Sequence, residues 1–109
     1  MGHDISGVNK VGKEIAYARF SMGNYNATIL YSVLDADEYY AGVSGSGGSS
    51  TFSIQQMEKA LNTFNQLYNN EDSMSENDFL TWDKKQIVEF LQNCLATAKE
   101  EGSVRVYFG

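Results

Sequence analysis

Proline is absent from this chain, and cysteine and histidine each occur once. A lone cysteine excludes an intramolecular disulfide framework, and with only one histidine beside it the usual four-ligand structural zinc sites are excluded too. Basic residues are scarce: 8 Lys+Arg stand against 14 Asp+Glu, a net charge of -6. That sign opposes binding to a phosphate backbone, which depends on cationic side chains displacing condensed counterions, so a nucleic-acid polymer is not an expected partner. No run approaches the roughly 18 apolar residues of a membrane helix, and the N-terminus lacks the basic and apolar regions of a signal peptide. The expectation is a soluble, cytoplasmic protein without a membrane partner.

What remains is enough for one folded domain spanning residues 1–109. Hydrophobic residues make up 42 % and aromatics 13 %, too much apolar material for a disordered chain. Residues 4–20 read as a β-hairpin, with Asp4 to Asn9 as first arm, Lys10-Val11-Gly12-Lys13 as turn and Glu14 to Phe20 as second arm. Successive strand side chains point oppositely, so Ala16, Ala18 and Phe20 share a face suited to lie under helices, while Ile15, Tyr17 and Arg19 share the other. Asn24 or Asn26 can cap a helix carrying Ala27, Leu30, Val33 and Leu34, which ends near Ala36 or runs irregularly to Tyr40. The β-branched Ile29 and Val33 leave a strand open there.

Further along, Ser53 and Gln56 have capping-box spacing, and Phe52 is placed to staple onto Met57. They open an amphipathic helix with Met57, Ala60, Leu61, Phe64, Leu67 and Tyr68 on its apolar side. After a polar, acidic connection from Asn69 to Asp78, a third helix runs from about Thr81 to Glu101, with Ile87, Val88, Leu91, Cys94, Leu95 and Ala98 on one stripe. Asp83 and Lys99 suit the charges of its two ends, and Gly102 suits the position just past it. Ser103 to Phe108 closes as a strand, with Val104, Val106 and Phe108 on one face and Arg105 and Tyr107 on the other. Pairing with the N-terminal hairpin satisfies its backbone. The expected fold is α+β: a small antiparallel sheet of N-terminal hairpin plus C-terminal strand, with about three helices on one face.

Chemistry-bearing residues are few. His3 has the one imidazole, but Asp4 beside it points to the opposite face of the strand and cannot orient it, so an exposed or hydrogen-bonded histidine is the simpler expectation. Cys94 falls on an apolar helix stripe, where a free cysteine behaves as a small hydrophobe. Asp35, Asp37 and Glu38 lack the ligand order and central glycine of a calcium loop, and they read as a solvated helix end. The absence of a nucleophile-and-base pair leads to an expectation of no catalytic residue, no metal and no cofactor.

The segment 42–50, Gly-Val-Ser-Gly-Ser-Gly-Gly-Ser-Ser, is the one low-complexity stretch. No Lys-Ser/Thr follows its glycines, and it misses the third glycine of the dinucleotide fingerprint. Two readings stay open. It is a mobile connector, or it is an anion cradle in which Ser44, Gly45, Ser46, Gly47 and Gly48 offer backbone N–H groups and hydroxyls beside a helix N-terminus. With no proline to stiffen it, its order must come from the helix cap beyond it, a ligand or another subunit. Tyr39 and Tyr40 immediately precede it, and Tyr17, Arg19, Arg105 and Tyr107 share one sheet face if the terminal strand joins the hairpin. Tyr and Arg combine flat contact area with polar tips, as binding surfaces require, though a half-exposed sheet face with snorkelling side chains has the same composition.

The opening Met1-Gly2-His3-Asp4-Ile5-Ser6-Gly7-Val8-Asn9 resembles a family of small bacterial and phage proteins that begin Met-Gly-x-Asp-Ile/Val with a Gly-x-Asn soon after. The likeness continues in outline through the central loop at Ser44-Gly45-Ser46-Gly47-Gly48 and an amphipathic helix to Val88-Glu89-Phe90-Leu91-Gln92-Asn93-Cys94 and a terminal strand. It implies a setting in the bacterial cytoplasm, often on a phage genome, where small proteins act by sequestering a nucleotide signal of host defence or by blocking a host protein. The expectation is therefore a non-catalytic binding protein that holds a small anionic, nucleotide-derived ligand through Tyr17, Arg19, Tyr39, Tyr40, the loop residues Ser44 to Gly48, Arg105 and Tyr107, with a homo-oligomer completing the site. The alternative is an interaction module that presents an acidic helical surface to a host protein.

Overall fold

The computed structural model describes residues 2–21, 25–41, 45–71 and 78–109, with side chains over 2–20, 27–41, 45–67 and 84–109. The elements in chain order are β1 (Gly2–Val8), β2 (Glu14–Ser21), α1 (Tyr25–Val33), a 3-10 turn (Asp37–Tyr39), β3 (Ser49–Ser53), α2 (Ile54–Glu71), α3 (Asp78–Glu101) and β4 (Ser103–Phe108). The strands form one sheet in the order β2-β1-β4-β3, and every neighbouring pair is antiparallel. Asn9 fixes the first turn. Its side-chain oxygen accepts hydrogen bonds from the Val11 and Lys13 backbone N–H groups at 3.2 and 2.9 Å.

Alternation along each strand decides what the sheet buries. His3, Ile5, Ala16, Ala18, Phe20, Phe52, Val104, Val106 and Phe108 face inward and are buried, and the helices cover that face. Leu30 and Tyr31 of α1, Met57, Ala60 and Phe64 of α2, and Ile87, Phe90, Leu91, Cys94 and Ala98 of α3 complete the core. Each large side chain buried there contributes about 1.5–3 kcal/mol. Close approach of α3 to β1 depends on Gly7, where an added Cβ would lie 2.7 Å from the Cys94 sulfur. Burial pushes the Cys94 thiol up to about 12, so it packs as a neutral hydrophobe.

The α2 start matches its sequence signature: Gln56 N–H donates to Ser53 Oγ at 3.1 Å, and Ser53 N–H donates to Gln56 Oε1 at 2.8 Å. Gly102 ends α3 at φ +91°, its N–H donating to the Ala98 carbonyl at 2.7 Å. Other expectations need correction. Ser49 and Ser50 are not loop but the start of β3, which supplies β4 with a second partner. Its sequence, Ser-Ser-Thr-Phe-Ser, has a single apolar residue to mark it, so the pairing partner rather than local pattern makes it a strand. Leu67 is exposed, whereas Tyr31 and Phe90 are buried. Helix α3 begins at Asp78, which puts Asp83 in its second turn. The Asn24 cap and the side chains of Asn26, Tyr68 and Asp83 lie outside the described residues.

The long edge of the sheet is covered at one point. Gln86 of α3 accepts from the Arg19 N–H at 2.8 Å and donates its side-chain N–H to the Arg19 carbonyl at 3.1 Å. A side-chain amide thus occupies the backbone groups that an edge strand would otherwise offer to another chain. Among the described residues, no helix is long and apolar enough to cross a membrane.

Candidate functional site

Residues 45–48 of the glycine-rich stretch are tied to the C-terminal strand and to Tyr39. Gly45 N–H donates to the Gly109 carbonyl at 2.8 Å, Gly47 N–H to the Phe108 carbonyl at 2.7 Å, and Ser46 N–H to the Tyr39 carbonyl at 2.9 Å, while the Gly48 carbonyl accepts from Phe108 N–H at 2.9 Å. Two of its glycines are structural requirements. Gly47 has φ +91°, and a Cβ on Gly45 would come within 2.6 Å of the Phe108 backbone. Three of the N–H groups expected to converge on an anion, those of Gly45, Ser46 and Gly47, are therefore already hydrogen-bonded to carbonyls, and Ser44 lies outside the described residues. The end of β4 thus supplies hydrogen-bonding partners that fix this stretch without any proline.

Tyr39 and Tyr40 serve the inner face. Tyr39 stacks on Phe108 with ring centroids 4.8 Å apart, and its hydroxyl donates to the Ser49 carbonyl at 3.1 Å. Tyr40 stacks on His3 at 5.1 Å. His3 is fully buried, not exposed, and a hydrogen bond of 3.1 Å joins its Nδ1 to the Tyr31 hydroxyl. Burial, with the Tyr40 phenol adding to it, pushes the Tyr31 hydroxyl up to about 12, so it stays protonated across the neutral range. The rings of His3, Tyr31, Tyr39, Tyr40 and Phe108 thus form one packed aromatic cluster on the inner face.

The outer face carries the other four predicted residues, and it divides into two halves. On the β2 side Arg19 stands directly across from Asp4, and its Nε lies 3.6 Å from the Asp4 carboxylate. Tyr17 donates its hydroxyl to the same carboxylate oxygen, and this hydrogen bond is the main cause that raises the Tyr17 hydroxyl above its ordinary value. Arg19 and Tyr17 are thus committed to Asp4. On the β4 side Arg105 stands between Val8 and Thr51, and Tyr107 between Ser6 and Ser49. None of these neighbours is charged, and among the described residues no carboxylate forms an ion pair with Arg105 or Lys10.

Arg105 and Tyr107 border an open cavity of about 340 Å³ with Val8, Asn9, Lys10 and Thr51, and Ser103 and Gly12 also line it. The polar side chains along it are mainly donors: a guanidinium, an ammonium and the hydroxyls of Thr51, Ser103 and Tyr107, which both donate and accept. The Asn9 side-chain oxygen is spent on the turn, so what it has left to offer is its NH2 group. The Glu101 carboxylate accepts from the Lys10 backbone N–H at 2.8 Å. Such a set suits an acceptor-rich anion.

Of the predicted residues the structure therefore brings together Arg105 and Tyr107. It leaves Tyr17 and Arg19 on the far half of the same face and places Tyr39, Tyr40 and Gly45 to Gly48 at the opposite end of β4. Sequence reasoning missed Lys10, Asn9, Thr51 and Ser103. The charge of Lys10 in a turn beside the terminal strand was a usable signal, whereas Thr51 had none until β3 was recognised. Asp35, Asp37 and Glu38 are exposed, as a solvated helix end should be, and the acidic segment 72–77 lies outside the described residues. No protein-family model matches the chain, nor does a curated protein or a solved structure.

Proposed function

We propose that the protein is a non-catalytic binding protein whose open sheet face holds a small anionic ligand at Arg105 and Lys10. One observation carries this reading: two cations uncommitted to any described carboxylate line one cavity in a chain of net charge -6. Two side-chain cations with surrounding hydroxyls favour reversible capture of a phosphate or carboxylate group. Sequestration needs affinity and no turnover, which fits the resemblance to small bacterial and phage proteins and a place in the cytoplasm.

Isothermal titration of the whole chain with inorganic pyrophosphate tests the reading. Saturable binding that weakens several-fold between about 50 and 200 mM salt is expected, because exposed charge pairs are screened over roughly a Debye length. The anion should be recovered unchanged after denaturation. Absence of heat at any salt, or recovery of orthophosphate instead, contradicts the proposal.

A further inference from the structure

The cavity is larger than a lone phosphate needs. At about 340 Å³ it reaches the lower end of the range for small-molecule sites. Its lining is also graded. Lys10, Arg105 and Ser103 gather the cationic and hydroxyl donors toward the first turn, and Tyr107 stands toward the other end of β4. Arg105 and Tyr107 are two positions apart on one strand, so their side chains leave the same face about 7 Å from each other. That separation is the span of a ribose between its base and its phosphate. Tyr107 is 42 % exposed, and its cross-strand neighbours Ser6 and Ser49 are too small to cover an aromatic ring. A part-exposed ring next to a pair of cations is what a nucleotide's planar heterocycle requires, since stacking on an aromatic side chain tolerates any base.

We infer that the ligand is a nucleoside phosphate, an inference that rests on the anion-binding reading above. The phosphate lies on Arg105 and Lys10, the base stacks on Tyr107, and Thr51, directly across from Arg105, supplies a hydroxyl to the sugar. A single nucleotide fits better than a strand. Arg19 is committed to Asp4, and Lys85 beside Tyr17 shares its groove with Glu89, so among the described residues the β2 half offers a polyanion little uncompensated charge to track along.

Titration of the whole chain with pyrophosphate, ribose 5-phosphate and a set of nucleoside 5′-monophosphates and diphosphates tests this. At least one nucleotide should bind about ten-fold tighter than ribose 5-phosphate, the gain expected of one stacked base. Tyr107→Leu should cut nucleotide affinity to the ribose 5-phosphate level, leave ribose 5-phosphate within about two-fold, and leave the thermal midpoint nearly unchanged, because the side chain is half exposed. Tyr107→Phe should retain the gain, since the ring and not the hydroxyl supplies it. Nucleotides that bind no tighter than ribose 5-phosphate, or a Tyr107→Leu protein that keeps the gain, overturn the inference while the anion-binding reading stands. Silence toward pyrophosphate and every phosphate ester overturns both.

Discussion

Arg19 and Arg105 stand on the same face of the same sheet, and a single cross-strand neighbour separates their roles. Arg19 faces Asp4, and Arg105 faces Val8 and Thr51. The first arginine is held in an exposed ion pair that also takes up the Tyr17 hydroxyl, and the second is left for the cavity beside Tyr107. An exposed pair such as Arg19–Asp4 adds well under about 1 kcal/mol to stability, but it decides which half of the face presents uncommitted charge. In an acidic chain, availability of a cation is thus set by register rather than by how many cations there are.

Removing each arginine in turn should give the largest contrast. Arg105→Ala is expected to weaken pyrophosphate binding at least ten-fold, the loss of a charge-assisted contact, while Arg19→Ala stays within about two-fold. Calorimetric titration of both variants reads the difference, and equal losses would erase the distinction between the halves.

The inner face supplies a second contrast, in alkali. Tyr31 and Cys94 are both fully buried, and burial raises both to about 12. A raised folded-state value means that the folded chain binds the proton more tightly. The resulting stability is complete below about pH 9 and is lost as pH rises toward 12. Denaturant titrations at pH 8, 10 and 11 should show a loss on the order of a few kcal/mol. A flat profile over that range would mean that Tyr31 and Cys94 are not sealed from water.

Smaller effects are expected at the β2 side. Gln86→Ala removes the amide that caps the Arg19 backbone, at a cost of about 1 kcal/mol, and should increase self-association in sedimentation experiments as the edge opens. Asp4→Asn should be the mildest change, costing less than about 1 kcal/mol in stability. It frees Arg19, so titration should reveal a weak second pyrophosphate site, and an unchanged stoichiometry would show that Arg19 was not restrained by Asp4.

Local pattern made several of these elements readable from the sequence. The Ser53–Gln56 capping box, the Gly102 stop and the alternation of β4 all rest on short-range rules, and β4 is what set Arg105 and Tyr107 on the outer face. The α+β class followed from the same signals. What stayed hidden depended on distant partners. Ser49 to Ser53 becomes a strand because β4 lies beside it, and the Gly45 and Gly47 N–H groups donate to the carbonyls of Gly109 and Phe108, far away in sequence. Tyr39 and Tyr40 were ambiguous for the same reason, because nothing local says that Phe108 and His3 will lie beneath them. Lys10 and Thr51 could join Arg105 only once the β1–β4–β3 order was known.

The central claim is that anions are held on the β4 half of the open face and not by the glycine-rich loop. Two-dimensional amide NMR of the isotope-labelled chain, titrated with pyrophosphate, tests this most directly. The expected result is saturable shifts concentrated on Lys10, Thr51, Ser103, Arg105 and Tyr107, with Gly45 to Gly48 and Arg19 unmoved. Shifts centred on Gly45 to Gly48, or none at all, would contradict it.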